Sequence, residues 1–138
     1  MEGMKNPPPP LRSLEEIWGL KNLARRHRMQ VNIGNDLLRA TLILVVEAFT
    51  ASAFAIVEHP GEPTWVPEAP SIWRSSFVKH IKAQLGADCL DFDQCSAGAD
   101  SRKPTCLLSV NLPQLRTAFR ALPGLGFCTH GRTPHKAT

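Results

Sequence analysis

The chain has 138 residues, of which 43% are hydrophobic, and this is sufficient for one small globular domain. The net charge of +4 and the pI near 9.1 permit a polyanionic partner without requiring one. Four cysteines are too few for a disulfide scaffold, and the polar start differs from a signal peptide, so we predict an intracellular protein, nuclear or cytoplasmic, with reduced thiols. The apolar patch Leu42 to Val46 is too short to span a bilayer, so no membrane partner is expected.

Residues 1–20 are interpreted as a proline-rich lead-in. Pro7 to Pro10 predict an extended polyproline stretch. We favour a stiff lead-in over a ligand for a proline-binding domain, because the stretch has no basic anchor pattern. Ser13 and Glu16 have the spacing of a capping box, which predicts a short helical turn.

A helical pattern extends from about Lys21 to Thr50. It predicts either one long helix or two pieces, since Gly34 weakens its middle by about 1 kcal/mol. The basic cluster Arg25 to Arg28 is interpreted as a solvated helix face rather than a phosphate-binding patch. Apolar residues recur at near-helical spacing along the segment, namely Val31, Leu38, Leu42, Val45 and Phe49, joined by Leu37 and Val46. The first half is basic, and the apolar second half should pack on a sheet.

A run of apolar residues, Ala53 to Val57, ends at Glu58, His59 and Pro60. It predicts a strand from about Ser52 to Val57 that is buried on both faces, as in a parallel sheet, and that ends near the proline. In open α/β sheets, functional residues lie just beyond the carboxyl ends of the strands, which is the position of Glu58. We interpret His59 as a loop residue rather than a ligand or an acid–base group.

The segment 61–70 contains three prolines and is predicted to be an irregular loop over the end of this strand. Trp65 in this loop is interpreted as a plug on the core rather than as a lid, because buried tryptophan is commoner. Ser71 should begin a second helix that runs to about Leu85, has Arg74, Lys79 and Lys82 on its wet, solvent-exposed face, and ends at Gly86.

Two further strands, Cys89–Cys95 and Thr105–Val110, are predicted to form an antiparallel hairpin, followed by a short helix over 112–122. The order of elements predicts an α/β fold with a partial Rossmann-like sheet, flanking helices and an antiparallel hairpin at its edge. Residues 21–122 would form this domain, and residues 123–138 a basic, flexible tail. The sequence has no glycine-rich loop after a strand, so we expect no dinucleotide or phosphate cradle.

The cysteines are interpreted as structural. Cys95 and Cys106 have no base nearby in the sequence, so we predict buried thiols rather than nucleophiles. Cys128, His130 and His135, with Cys106 as a fourth residue, would supply zinc ligands, but Cys-x-His is not a standard zinc-finger spacing. We favour a solvated tail over a metal site.

Several short motifs follow one another in a familiar order: Val57-Glu58-His59-Pro60, Ser71-Ile72-Trp73, Phe92-Asp93-Gln94-Cys95 with Gly98, Arg102-Lys103-Pro104-Thr105 and Ser109-Val110-Asn111. This order resembles the second half of the DNA cytosine-5 methyltransferase-like proteins of phages and mobile elements. Their corresponding motifs are Glu-Asn-Pro, Cys-x-x-Gly, Lys-Pro-Thr and a Thr/Ser-Asn pair. The resemblance extends from about Pro9 to Asn111, and residues 9–13 with Asn35 are similar to the segment that follows the catalytic loop.

The resemblance implies a Rossmann-like fold and a parent family that uses S-adenosylmethionine. It implies that Glu58 is the catalytic residue that grips the ring of a flipped-out cytosine, as a protonated carboxyl at N3 while a cysteine attacks C6. It also implies that Arg102 and Lys103 face the phosphate backbone or the flipped base. Thr105 and Asn111 complete the implied substrate-binding set.

Two departures from the family pattern limit this expectation. His59 stands where the family has asparagine, and the chain has neither a Pro-Cys nucleophile nor a glycine-rich cofactor loop, both of which should precede Pro7. We therefore predict a truncated target-base half that binds no cofactor and is inactive alone, with DNA and a missing N-terminal half as partners. The alternative is a non-catalytic module, derived from the same fold, that binds nucleic acid or protein.

Overall fold

A computed structural model describes residues 8–129 of the chain. Its helices are α1 (Arg25–Thr50), α2 (Ser76–Leu85) and α3 (Gln114–Arg120), and its strands are β1 (Ala55–Pro60), β2 (Asp88–Asp93) and β3 (Pro104–Val110). Two 3-10 turns cover Ile72–Arg74 and Gln94–Ala97. The predicted mixture of helices and a sheet is confirmed at this level, and the sheet is small and antiparallel.

Helix α1 is continuous, so this segment forms one long helix rather than two pieces. Val31, Asn35, Leu42 and Val45 are buried at the spacing of one helix face. Leu42 and Val45 pack in the core against the sheet, whereas Val31 and Asn35 contact the N-terminal segment. Gly34 therefore does not interrupt the helix.

The three strands have the order β1–β3–β2, and β3 is antiparallel to both neighbours. Strands β1 and β2 consequently run parallel to each other, and α2 lies in the connection between them. The predicted hairpin is confirmed as β2 and β3, with Leu108 paired to Cys89 on one side and to Val57 on the other.

The prediction that the first strand is buried on both faces is wrong. Strand β1 is an edge strand whose residues alternate between half-buried and exposed, and Ile56 is 45% exposed. Its pairing with β3 continues through His59 to Pro60, so Glu58 and His59 lie inside the strand rather than beyond it. Proline is tolerated at this position because an edge strand needs ladder donors on one side only.

The core lies between the sheet and helices α1 and α2. Its buried residues come from α1, β3, α2 and the first 3-10 turn, and they are Leu42, Val45, Trp73, Val78, Cys106, Leu108 and Val110. On the other face of the sheet, the ring of Phe92 packs against Phe119 of α3 at 5.3 Å between centroids.

The predicted second helix consists of the first 3-10 turn followed by α2, each with its own serine cap. Ser71 accepts a hydrogen bond from the amide of Trp73, and Ser75 accepts one from the amide of Val78. Gly86 ends α2 in the left-handed conformation with φ of 58°, as the sequence predicted.

Candidate functional site

A cleft of about 430 Å³ lies between the N-terminal segment, α1 and the end of β1. Its wall is mainly apolar, and the polar residues that line it include Arg12, Asn35, Glu58, His59 and Ser71. Cavities of this kind, apolar with a few convergent polar groups, are typical of small-molecule and base-binding sites.

The N-terminal wall of the cleft is attached to α1 through Arg12 and Asn35. Nη1 of Arg12 donates to Oδ1 of Asn35 at 2.8 Å and to the carbonyl oxygen of Ile17 at 2.6 Å. Nδ2 of Asn35 donates to the carbonyl oxygen of Trp18 at 2.8 Å. Partial burial lowers the pKa of Arg12 below its ordinary value.

Sequence reasoning missed this pair. The available signal was Asn35 itself, a polar residue on the buried stripe of α1, where an unpaired amide would be costly.

Glu58 adjoins the cleft through β1, but its side chain alternates with those of the inward-facing Val57 and His59 and therefore lies on the opposite face of the sheet. There it contacts the β2–β3 connection. Its Oε1 is 3.8 Å from Nζ of Lys103 and 3.5 Å from Nε2 of Gln94. The side chains of Glu58 and Lys103 are both 50% exposed, so the carboxylate remains accessible. The antiparallel register explains the contact, because the end of β1 pairs with the beginning of β3, which directly follows Lys103.

Arg102 and Thr105 lie at the same end of the sheet as Glu58. Nε of Arg102 contacts Oδ2 of the buried Asp93 at 3.2 Å, while its side chain is 59% exposed. Thr105 is buried, and its hydroxyl donates to the carbonyl oxygen of Lys103 at 3.1 Å. Thr105 therefore supports the segment that presents Lys103.

Asn111 is not brought together with these residues. It follows the opposite end of β3, six residues from Thr105, or about 20 Å along a strand. Its backbone has φ of 53°, and its Nδ2 donates to the carbonyl oxygen of Ala53 at 2.8 Å. This side chain links the end of β3 to the α1–β1 connection.

His59 is held in β1 by an aromatic neighbour, and its interpretation as a loop residue is wrong. Its ring lies edge-on to Trp73 at 5.8 Å between centroids, and Nε1 of Trp73 donates to the carbonyl oxygen of Pro60 at 2.8 Å. Desolvation lowers the pKa of His59 below its ordinary value of 6.5, against the opposing effect of the Glu58 carboxylate.

We expect the stability of the protein to decrease as the pH falls below about 6.5, the pKa of histidine in an unfolded chain. In this range the unfolded chain binds a proton at His59 more readily than the folded protein does, so protonation favours unfolding. Urea unfolding of the native protein and of His59→Gln between pH 7.5 and about 5 measures the effect. As the pH decreases, the free energy of unfolding should fall more steeply in the native protein than in His59→Gln, by the equivalent of less than one bound proton. Equal slopes for the two proteins would contradict this expectation.

The proline-containing loop that follows β1 is organised by Arg74. Its guanidinium contacts Glu62 and donates to four backbone carbonyl oxygens of the loop, those of Pro63, Val66, Pro67 and Ala69. Arg74, predicted to lie on a wet helix face, has a side chain that is only 14% exposed. Trp65 is 64% exposed, so its interpretation as a plug on the core is wrong.

The four cysteines form two pairs of neighbouring thiols. Cys95 and Cys106 are buried, as predicted. Hydrogen bonding from Cys106, supported by Lys82, lowers the pKa of Cys89 to about 6, although partial burial opposes the shift. Cys95 contacts Cys128.

Within residues 8–129, no group of three or more His, Cys, Asp or Glu side chains is arranged to hold a metal ion. His130 and His135, two of the residues considered for zinc, lie outside the described residues.

Comparison with protein-family models, with curated proteins and with solved structures finds no match to this chain. Among the helices of residues 8–129, none has the length and apolar character needed to cross a membrane.

Proposed function

We propose that this chain is the target-base half of a DNA cytosine methyltransferase-like domain and that it is inactive alone. The observation that supports this proposal best is the position of Glu58, which adjoins a cleft through β1 and lies 3.8 Å from Lys103. Two other motifs separate the motif of Glu58 from the motif of Lys103 in the sequence, yet the two residues meet at one end of the sheet.

The proposed fold is the edge of a Rossmann-like sheet. Two parallel strands, β1 and β2, connected through α2 and separated by the antiparallel β3, are compatible with the edge of a doubly wound sheet that ends in a hairpin. In such a sheet, the ligand lies beyond the carboxyl ends of the parallel strands, which is where the cleft meets β1.

In this proposal a flipped cytosine binds at the rim of the cleft, where β1 forms the edge of the sheet, and meets the exposed carboxyl group of Glu58. A protonated carboxyl group at Glu58 donates a hydrogen bond to N3 of the base and stabilises the charge that develops when a nucleophile adds to C6. The apolar cleft wall, which includes Trp18, excludes water from the base. The nucleophile itself is assigned to the missing half.

The described residues do not fit an S-adenosylmethionine site. Strand β1 is followed by a proline-containing loop, β2 by a 3-10 turn and β3 by Asn111, so none of them leads into a glycine-rich turn before a helix. We assign the cofactor to the missing half as well, and this chain supplies binding and orientation of the base.

Lys103 and Arg102 are proposed to contact the DNA backbone. Both cations are at least half exposed at the end of the sheet where Glu58 lies, so they remain accessible to phosphate oxygens. Each contact should release counterions on binding and therefore contribute to the salt dependence of the affinity.

Titration of the protein with duplex DNA carrying one mismatched cytosine, at several salt concentrations, tests this proposal. Lys103→Ala and Arg102→Ala should each reduce the slope of log affinity against log salt by about 0.9. Lys79→Ala, which removes an exposed cation from α2, is the matched control and should leave the slope unchanged. Glu58→Gln should reduce the preference for the mismatched cytosine while it keeps the slope.

Binding without salt dependence, or equal slopes for the native protein, Lys103→Ala and Arg102→Ala, would contradict the DNA-binding role. Methyl transfer by this chain alone, with labelled S-adenosylmethionine and DNA, would contradict the assignment of the nucleophile and cofactor to another half.

A protein partner is favoured by a separate observation. The outer edge of β1 pairs with no other strand of residues 8–129. The face of α1 opposite to the sheet exposes large apolar side chains at helical spacing, those of Met29, Ile33, Leu37 and Leu44. We infer that the missing half adds a strand parallel to β1 and covers this face of α1.

The cofactor half of a phage protein of the resembled family is the probe for this inference. Its addition should slow amide hydrogen exchange in β1 and in the exposed face of α1, and it should permit methylation that Glu58→Gln abolishes. Protection without methylation would favour the second candidate function, a non-catalytic protein-binding module. No change in exchange would contradict a partner at this edge.

A further inference from the structure

The carboxyl-terminal strap, defined here as residues 126–128, is hydrogen-bonded to the end of β2. The amide of Asp93 donates to the carbonyl oxygen of Gly126 at 2.8 Å, and the amide of Cys128 donates to Oδ2 of Asp93 at 2.8 Å. Ser96 adds two contacts, because its hydroxyl accepts from the amide of Gly126 at 2.9 Å and donates to the carbonyl oxygen of Gly126 at 2.8 Å. These bonds fix the strap against the second 3-10 turn.

This arrangement brings two thiols together across 33 positions of the sequence, since 128 minus 95 is 33. The side chains of Cys95 and Cys128 are neighbours and form no disulfide. Cys95 is buried, whereas Cys128 is only half-buried and accessible to small molecules. Burial and the neighbouring thiol raise the pKa of Cys95. Because Cys128 is the less buried of the two residues, it is the more accessible site for the first reaction with an oxidant.

We propose that Cys95 and Cys128 form an oxidation-sensitive dithiol, which hydrogen peroxide converts to a disulfide that ties the carboxyl-terminal strap to the end of β2. The thiolate of Cys128 attacks one oxygen of the peroxide, the O–O bond breaks, and water leaves after proton transfer. The sulfur of Cys95 then attacks the resulting sulfenic acid, the S–O bond breaks, and the thiol proton leaves with hydroxide as a second water. Two thiols are oxidised and one peroxide is reduced to two waters.

The other thiol pair is less suited to a disulfide. In the register of β2 and β3, Cys89 is opposite Leu108 and Cys106 is opposite Asp91, so the two cysteines are diagonal neighbours. Diagonal neighbours in an antiparallel pair are about 7–8 Å apart, which exceeds the usual separation of bridged cysteines. The strap, in contrast, is held by a few hydrogen bonds and can adjust to the bond.

Oxidation would also affect the surroundings of Arg102. Asp93 accepts hydrogen bonds from both Arg102 and the amide of Cys128, so a disulfide at Cys128 fixes the strap beside the carboxylate that positions Arg102. This inference concerns thiol chemistry and does not depend on the proposed function, whose tests use the reduced protein.

Thiol titration of the full chain after unfolding, with and without prior peroxide treatment of the folded protein, tests the proposal. The native protein should fall from four thiols to two, and dithiothreitol should restore four. Cys128→Ser and Cys95→Ser should each retain three titratable thiols after peroxide treatment. Cys89→Ser, in the other pair, is the matched control and should fall from three thiols to one.

Peptide mapping identifies the bond. Cys89 and Cys95 share a tryptic peptide, because no lysine or arginine lies between them. The linked peptides are therefore identified in Cys89→Ser, where the expected species joins the peptide of Cys95 to that of Cys128. In the oxidised protein, amide exchange at Gly126 and Cys128 should be slower than in the reduced protein.

Four remaining thiols in the peroxide-treated native protein would overturn the proposal. Loss of two thiols in Cys128→Ser would also overturn it, since the bond would then join Cys89 and Cys106. Oxidation of Cys128 to a sulfenic or higher acid, without a disulfide-linked peptide, would also overturn the proposal.

Discussion

Replacement of Arg74 by alanine should lower the free energy of unfolding by about 3 kcal/mol and open the loop 61–70 to proteolysis. The guanidinium donates to four loop carbonyl oxygens, two of them at 2.7 Å, and contacts the carboxylate of Glu62 at 2.8 Å. Because the side chain is mostly buried, its loss leaves carbonyl groups without a donor on the inner side of the loop. Urea unfolding and chymotrypsin cleavage at the exposed Trp65 measure the two effects.

Arg74→Lys separates charge from geometry. An ammonium group retains the charge but cannot reach carbonyls on several sides at once, so lysine should recover less than half of the lost stability. Glu62→Gln removes only the exposed ion pair and should cost below about 1 kcal/mol. If Arg74→Ala unfolded at the same urea concentration as the native protein, Arg74 would not organise this loop.

The elements with local signals were predictable from the sequence. The end of α2 at Gly86 was predicted because a left-handed cap favours glycine, and the β2–β3 hairpin because two short strands are separated by a brief polar connection. Helix α1 was predicted in position because its apolar residues recur at helical spacing over 26 residues. The sequence did not decide whether the helix continues through Gly34, and the structure shows that it does.

The nature of β1 was not predictable from the same kind of signal. An apolar run is compatible with a strand buried on both faces, but here Ala53 and Phe54 precede the strand, and Ile56 faces solvent on an edge. Whether a strand is central or at an edge depends on its neighbours, which come from residues some 50 positions later in the chain. The run of residue types alone does not contain that information.

The candidate site was predictable only in part. The order of the motifs indicated Glu58 and Lys103, and the register of β1 and β3 brings them within 3.8 Å of each other. Arg12 and Arg74 were missed because an arginine that binds backbone carbonyls has partners without a residue-type signature. The sequence identifies the charged group, and the folded chain decides whether it faces water or backbone.

The second large effect is expected at Arg12. Arg12→Ala should destabilise the protein by about 2 kcal/mol, because it leaves Oδ1 of the buried Asn35 without its donor and removes the contact to the carbonyl oxygen of Ile17. The segment that contains Arg12 and Trp18 forms one wall of the cleft, so its release should also widen the cleft. The ring of Trp18 lies 6.1 Å from Phe77 and 5.4 Å from the guanidinium carbon of Arg39, and both contacts should weaken.

Tryptophan fluorescence reports this release most directly in a Trp65→Phe background, where the exposed indole no longer dominates the signal. Arg12→Ala should then shift the emission to longer wavelength before the global transition in urea. In a double-mutant cycle with Asn35→Ala, the two substitutions should be non-additive by about 1 kcal/mol or more, since each removes the same hydrogen bond. Additive effects together with unchanged emission would show that Arg12 does not hold the segment on α1, and the cleft would then lack the fixed wall that the proposed binding of a flipped base requires.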